Sequence, residues 1–344
     1  MKTLDDPKNF AHDLVGWFRE NKRDLPFRFD KDPYRIFVSE LMLQQTQIDT
    51  MIPYYRRFME RFPTVSDLAD AHIDEVMELW AGLGYYRRAR YLHESAQIIR
   101  DEYNGIFPKD LNAIESLKGV GRYTARAIHS IAFNATSPAV DGNVMRVMTR
   151  ILGYDGDIRK TKHMRAIEET LKPAIKEVNP GDFTESLMEV GALICKKSNP
   201  LCEDCPLNRY CFAYKHDKQS DFPVVSRAKA KTEHTYYTFV IENDEGFLLT
   251  KRPKRGLLAG LPAFPQYELK SFEEAARAFE TDYGIPLDKA ESLGTIKHVF
   301  SHRVWHMHVI HLKQKGLTHP AIEPKTKTEG LPTAHRKILD HLEK

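Results

Sequence analysis

Between Ile114 and Arg150 the sequence reads helix, tight turn, helix, short loop, and then an aspartate opening a third helix. The turn is Leu117-Lys118-Gly119-Val120-Gly121-Arg122-Tyr123, and the stretch after it, Thr124 to Ala132, repeats its apolar residues at helical spacing. Two glycines around one apolar residue let the backbone reverse sharply. They also leave amide N–H groups unpaired at the start of the next helix, where the macrodipole is positive. Such an end binds anions. With Lys118 and Arg122 beside it and no Walker lysine–serine pair, a nucleic-acid phosphate suits it better than a free nucleotide, although a packed αα-hairpin uses the same glycines. Further on, Pro138-Ala139-Val140-Asp141-Gly142-Asn143-Val144-Met145-Arg146-Val147 places Asp141 where an N-cap belongs. A capping carboxylate held by helix amides is expected to stay ionised, which is also what a group stabilising a developing cation requires.

A length of 344 residues leads us to expect two domains, each with its own core. Basic residues number 51 and acidic ones 48, so bulk charge identifies no polyanionic partner and only local clusters can. No apolar run reaches the length of a membrane span. The start, Met1-Lys2-Thr3-Leu4-Asp5-Asp6, has neither an apolar signal core nor an arginine-rich presequence, so a cytoplasmic protein is expected. All 4 cysteines fall in Cys195-x6-Cys202-x2-Cys205-x5-Cys211. In a reducing compartment that crowding argues for ligation rather than disulfides, and both tetrahedral zinc and a cubane iron–sulfur cluster fit the spacing.

Elsewhere the first part is helical. Phe10, Leu14, Val15 and Phe18 form one stripe ahead of Arg23-Asp24-Leu25-Pro26-Phe27-Arg28. Ile36 to Gln47 reads as a single helix, with Phe37, Leu41 and Ile48 on a buried stripe and Glu40, Gln44 and Gln47 on a polar face whose amides could reach base edges. Helices continue from 53 to 103, interrupted at Trp80-Ala81-Gly82-Leu83-Gly84-Tyr85-Tyr86-Arg87-Arg88, which suits either a wedge into a base stack or a packed turn. Another helical stretch, Arg165 to Ile194, contains Glu185. Residues 215–234 are polar and basic (Lys218, Arg227, Lys229, Lys231) and read as a linker. Beyond it the period becomes two: Tyr236–Ile241, a turn at Asn243-Asp244-Glu245-Gly246 and Phe247–Thr250 form a hairpin, a helix follows at Phe272–Tyr283, and Val299–Val309 reads as one strand. His306 and His308 share a face of that strand; solvated histidines are commoner there than metal ligands. The organisation expected is a helical region 1–214, a linker 215–234 and an α+β domain 235–344.

Taken together, VSELMLQQTQ, GLGYYRRAR, LKGVGRYTA, AVDGNVMRV, the four-cysteine spacing and FSH resemble the helix-hairpin-helix DNA glycosylase superfamily, and within it the MutY-type adenine DNA glycosylases, over nearly the whole chain. The resemblance implies a mainly α helix-hairpin-helix glycosylase fold with a four-cysteine iron–sulfur loop, plus an α+β Nudix-like C-terminal domain. It makes Glu40 the general acid that protonates the adenine leaving group and Asp141 the carboxylate that stabilises or transiently captures the oxocarbenium-like sugar, with Tyr123 and Asn143 assisting. The cysteines Cys195, Cys202, Cys205 and Cys211 become ligands of a 4Fe-4S cluster. Gly119, Gly121 and Arg122 would hold DNA at the hairpin. Gln45, Leu83 and Tyr85 would intrude around the base opposite the target, Phe300-Ser301-His302 would recognise 8-oxoguanine through Ser301, and Arg28 and Glu185 would flank the pocket. Where endonuclease III-like enzymes carry a lysine that forms a Schiff base, this chain has Tyr123, which implies a monofunctional glycosylase that leaves an abasic site. The partners implied are duplexes with adenine opposite 8-oxoguanine or guanine, acted on by a monomer. If Gly284 closes a Nudix box, then Ala263, Leu269, Ala278 and Thr281 stand where Mg²⁺-binding carboxylates belong, leaving Asp282, so the domain is expected to read lesions and not to hydrolyse nucleotides. Phe27 replaces the family's usual tryptophan, and Pro262-Ala263 its usual Trp-Glu.

Overall fold

The computed structural model describes residues 3–226, 230–253 and 255–342; Arg227 and Lys229 of the expected linker lie outside the described residues. The chain forms two compact units, Met1–Leu79 with Arg87–Arg227, and Trp80–Tyr86 with Ala228–Lys344.

The first unit is helical: α1 (Pro7–Asn21), α2 (Pro33–Leu43), α3 (Ile48–Arg61), α4 (Val65–Asp70), α5 (Ile73–Leu79), α6 (Arg87–Tyr103), α7 (Leu111–Ser116), α8 (Arg122–Phe133), α9 (Gly142–Leu152), α10 (Thr161–Ile175), α11 (Pro180–Leu193) and α12 (Phe212–Lys215). Their starts are written locally. Asp6, Asp32 and Asn179 each cap a helix whose first residue is proline, where a missing N–H costs nothing, and Thr64 with Asp67 forms a reciprocal capping box. α2 packs on α8, and α11 on α1, α8 and α9, around fully buried Phe10, Phe37, Leu41, Ile128 and Phe183.

The expected single helix from Ile36 to Gln47 is two. α2 ends at Leu43, Gln45 adopts a left-handed φ of 60°, and α3 begins at Ile48, which is half-buried and off the Phe37–Leu41 stripe. The run Gln44-Gln45-Thr46-Gln47 breaks the apolar period, so no buried face exists to carry the helix onward. Glu40, assigned above to a polar face, is buried with only 8% of its surface exposed, because α2 is covered from several sides.

The second unit contains a mixed sheet of order β6-β7-β1-β2-β8, built from β1 (Thr232–Glu242), β2 (Gly246–Leu248), β6 (Glu291–Val299), β7 (Arg303–Lys313) and β8 (Ile322–Pro324). β5 (Gln266–Tyr267) pairs with β1, and β3 (Thr250–Lys251) pairs with β4 (Pro262–Ala263) separately. β1 and β7 run parallel from Thr232↔Arg303 to Glu242↔Lys313. Alternate residues go to opposite faces. Val240, Trp305, Met307 and Val309 pack with Ile338 of α14 (Thr333–Leu342), whereas Phe239, Ile241, Ile310 and Leu312 pack with Phe279 of α13 (Phe272–Tyr283). The hairpin turn expected at Asn243–Gly246 forms, with Asn243 Oδ1 accepting from the amides of Glu245 and Gly246.

The expected single strand Val299–Val309 is corrected to two. β6 and β7 are antiparallel, Val299↔Val304, and the Phe300 amide donates to the Arg303 carbonyl at 2.8 Å, so Phe300-Ser301-His302 is a hairpin tip. Continuous alternation hid a turn that has no glycine or proline to mark it. Gly284 ends α13 with φ 65°, and Asp282 accepts from the Tyr267 hydroxyl at 2.6 Å.

Candidate active site

Four helices of the first unit deliver the site's polar groups. α2 brings Glu40, the first turn of α8 brings Tyr123, the N-terminus of α9 brings Asp141 and Asn143, and α11 brings Glu185 and Glu189. Asp141 caps α9: Oδ1 accepts from the Val144 amide at 2.7 Å and Oδ2 from Asn143 Nδ2 at 3.1 Å. Asn143 is held in turn by Arg146, whose Nη2 donates to Asn143 Oδ1 at 2.9 Å and to the Gly191 carbonyl at 2.6 Å, while its Nε donates to the Cys195 carbonyl at 2.7 Å. The Tyr123 hydroxyl donates to Met188 Sδ at 3.9 Å, and it lies near enough to Glu40 for each group to shift the other's titration.

Burial pushes Glu40 up to about 7, against the Tyr123 hydroxyl and the Arg28 charge, with the neighbouring charges of Asp141 and Glu185 adding to the rise. Near neutrality it is therefore divided between acid and carboxylate. Burial also raises Tyr123, followed by the charges of Glu40 and Asp141, so its hydroxyl remains a donor. For Asp141 burial outweighs the Val144 amide and the Asn143 side chain and raises it above the usual carboxylate value. That corrects the expectation that helix amides alone would govern it. The two carboxyls nevertheless differ in kind, since only Asp141 has helix amides and an amide side chain bonded to its charged form.

Behind them lies a network of which the sequence singled out Arg28 and Glu185 but not Glu189, Arg23 or Lys31. Fully buried Glu189 accepts from Arg23 Nε at 2.7 Å, Arg23 Nη2 at 3.0 Å and Arg28 Nη1 at 2.9 Å. Glu185 meets Arg28 Nε at 3.4 Å and Lys31 Nζ at 2.8 Å. Burial works against the charge on Glu189, but the arginine hydrogen bonds win and hold it at about 2. In sequence Glu185 and Glu189 share one helical stripe with Asp182 and Ser186, which reads as an ordinary solvated face, so nothing local marks them as buried. Arg28 thus sits on the structural side of the pocket, bridging Glu185 and Glu189. Phe27 is buried, edge-to-face on Tyr55 at 5.9 Å, and so fills the place of the larger ring.

At the hairpin, Gly119 has φ 75°, and a Cβ there would meet Tyr91 at 2.9 Å, so glycine is required twice over. The Lys118 carbonyl accepts from Ser95 Oγ at 3.1 Å and the Gly119 carbonyl from Gln44 Nε2 at 3.2 Å, which turns the carbonyls inward. Gly121 caps α8 without a side-chain hydrogen bond, and the space where a Cβ would project is open, so the helix amides face an accessible surface. Arg122, by contrast, is held by buried Glu168, with Nη2–Oε2 at 2.6 Å. Gln45 is exposed, as is half of Tyr85, but Leu83 is 7% exposed and does not project. In the second unit Ser301 and His302 are exposed, and Phe300 packs on Trp305 at 4.8 Å and His298 at 4.5 Å. Pro262, opposite Lys251, belongs to the short β3–β4 ladder.

The four cysteines are free thiols that line one cavity together with Val147 and Arg150 of α9, Leu207 and Tyr214. Buried Arg150 donates to Cys195 Sγ at 3.3 Å and to the Lys196 carbonyl at 2.7 Å. Among the described residues no three His, Cys, Asp or Glu side chains gather tightly enough to hold a single metal ion. Burial pushes the Cys205 thiol up to about 12 and raises Cys202 and Cys211, so thiolates here require cations beside them. Sulfur donors in an apolar cavity backed by a guanidinium fit a thiolate-ligated group.

The description "HhH-GPD superfamily base excision DNA repair protein" matches residues 38–173, and a NUDIX domain matches residues 236–341. The adenine DNA glycosylase of Buchnera aphidicola is 33% identical over 349 aligned residues, covering 97% of this chain and 98% of its own. The Homo sapiens adenine DNA glycosylase is 34% identical over 353 residues, covering 85% of this chain and 65% of its own.

The chain belongs to the adenine DNA glycosylase family.

As an adenine DNA glycosylase it removes adenine from DNA in base-excision repair. The solved structure of a thermostable thymine-DNA glycosylase, 27% identical, matches 61% of this chain and 97% of its own at a TM-score of 0.55. The helix-hairpin-helix match takes in Glu40, Tyr123, Asp141 and Asn143, while Phe300-Ser301-His302 falls within the Nudix match. No helix of the described residues is long and apolar enough to cross a membrane.

Proposed function

We propose that this adenine DNA glycosylase acts as a monomer on duplexes in which adenine faces 8-oxoguanine or guanine, with Glu40 as general acid, Asp141 as stabiliser of the sugar cation, and an abasic site as product. The observation that carries this reading is the pair of unlike carboxyls, Glu40 buried and raised to about 7 beside Tyr123, Asp141 hydrogen-bonded at the start of α9. The target adenosine must leave the stack to reach them. Protonated Glu40 gives its proton to a ring nitrogen of adenine, the N-glycosidic bond breaks with its electron pair leaving on the base, and the positive charge that remains on the sugar is faced by Asp141. Water then adds to the anomeric carbon and loses a proton to the carboxylate that Glu40 has become, restoring the acid. Tyr123 holds Glu40 in place and, having no amine, forms no Schiff base.

Adenine release from duplexes carrying A opposite 8-oxoguanine, G or T tests this. We expect rapid release opposite 8-oxoguanine, slower opposite G and none opposite T, with strand breaks appearing only after alkali. Breaks without alkali, together with a covalent enzyme–DNA adduct formed when borohydride reduces a Schiff base, would instead indicate a lyase. Ser301 and His302 at the tip of the β6–β7 hairpin support the lesion-reading role of the second unit, by exposure in a turn with backbone groups close by. Ser301→Ala is expected to reduce the preference for 8-oxoguanine over G by roughly 2- to 10-fold, the worth of one hydrogen bond; an unchanged ratio would remove Ser301 from that role.

Cys195, Cys202, Cys205 and Cys211 are proposed to hold a 4Fe-4S cluster that, when bound, knits their loop together and presents the exposed Lys196 and Lys197 to DNA, whereas nearby Arg209 pairs with Asp13. Anaerobically purified protein is expected to carry about four irons with matching sulfide and a broad visible absorption, and Cys202→Ser to lose much of both. Stoichiometric zinc without iron would overturn the cluster.

A further inference from the structure

Arg88, the second residue of α6, is 6% exposed. Its Nη1 approaches the carbonyls of Leu41 at 3.0 Å, Met42 at 2.6 Å and Gln44 at 2.6 Å, and Thr46 Oγ1 at 3.1 Å. These acceptors are the last turn of α2 and the chain just past it. A helix end leaves its final carbonyls without intrahelical donors and carries the negative pole of the macrodipole, so a buried guanidinium there is a C-cap supplied by another helix.

The segment it caps is unusually committed. Glu40 directly precedes it. Gln44, whose carbonyl Arg88 holds, sends its side-chain Nε2 to the Gly119 carbonyl at 3.2 Å and to Thr124 Oγ1 at 3.5 Å, on either side of Tyr123 in the hairpin. Gln45 is exposed at φ 60° between Gln44 and Thr46, two of the four residues Arg88 grips.

We propose that Arg88 is a positioning residue for adenine release: by fixing the C-terminal end of α2 it sets Glu40 against Tyr123 and presents Gln45 outward. This rests on the reading of Glu40 as the acid. Arg88 acts through geometry, since the charges that weigh most on Glu40 are those of Arg28, Asp141 and Glu185. The buried stripe of α2 does not depend on Arg88, because Phe37, Leu41 and Met42 are fully packed. Loss of the cap therefore loosens the end of the helix more than the helix itself.

The test compares Arg88→Lys and Arg88→Gln in the full chain by single-turnover adenine release at saturating enzyme, counted per active site. Binding is measured on a duplex with a non-hydrolysable adenine nucleotide. A small displacement of a catalytic group costs up to about a hundredfold, so the rate constant is expected to fall roughly 10- to 100-fold while Kd stays within about 3-fold. The pH at which the rate falls off should not move, and lysine, which keeps a donor, should recover part of the glutamine variant's loss. A per-site rate within about twofold of the parent, or a shifted pH midpoint, overturns the proposal. If both variants fail to fold, Thr46→Val removes one grip alone, and a rate loss of a few-fold is expected there, no loss being the contrary result. Glu40→Gln run alongside separates the two readings. A parental rate in Glu40→Gln sinks the acid assignment, whereas a dead Glu40→Gln with undiminished Arg88 variants sinks only the role of Arg88.

Discussion

Glu40→Gln is expected to lower single-turnover adenine release by roughly 10²- to 10⁴-fold, the range general acid catalysis supplies, with little change in affinity for a mispaired duplex. Glutamine keeps the shape and a hydrogen-bonding oxygen for Tyr123 but has no proton to give. The parent rate should depend on the protonated fraction of Glu40 and so fall as pH rises through about 7. Stability supplies a second, independent readout. The folded-state value of Glu40 lies above its ordinary 4.5, so the folded protein binds more protons than the unfolded chain between these values. Unfolding free energy contributed by this group therefore declines as pH climbs through that window. Glutamine abolishes the decline, and Glu40→Gln should be more stable than the parent above neutrality by something on the order of 1–3 kcal/mol. Denaturant unfolding at acid and alkaline pH measures it. A variant that releases adenine at the parent rate, or one destabilised at alkaline pH, contradicts the buried acid.

Asp141→Asn should be nearly as damaging to the rate. Asparagine is as good an N-cap as aspartate, so α9 keeps its start and the Val144 amide keeps its acceptor. What is lost is the negative charge facing the sugar cation, and removal of one preorganised electrostatic partner typically costs about 10²- to 10³-fold. Asp141→Ala removes the cap as well and should add a stability loss of about 1 kcal/mol. Chemical-denaturation midpoints and single-turnover rates for the pair separate the two roles of one side chain. Full activity in Asp141→Asn would leave Asp141 as a cap and nothing more.

Local chemistry made a good part of this protein legible. Asp32-Pro33 and Asn179-Pro180 announce helix starts, Asn243 to Gly246 announces a hairpin, Gly119-Val120-Gly121 announces a turn with free amides, and four cysteines within a short loop announce a shared ligand set. Each depends on residues a few positions apart, so the sequence by itself determined it. The motifs Glu40, Tyr123, Asp141 and Asn143 belong to were likewise readable, and with them the family.

Their physical state was not. Glu40 reads as one more helical glutamate on a polar face; the elements packed around α2 bury it, and that burial raises it. Glu189 is invisible as a partner of Arg23 until α11 lies across the start of the chain, 166 residues away. Arg122 reads as a free phosphate ligand and is instead held by Glu168. Leu83 reads as either a wedge or part of a packed turn and lies buried, while Ser301 reads as mid-strand and stands at a turn. For Glu189 and Arg122 the pairing comes from residues distant in the chain, and neither periodicity nor composition carries that information. Caps and turns are settled by neighbours in sequence, whereas the pKa of a carboxyl is settled by neighbours in space, and only the tertiary structure decides who those are.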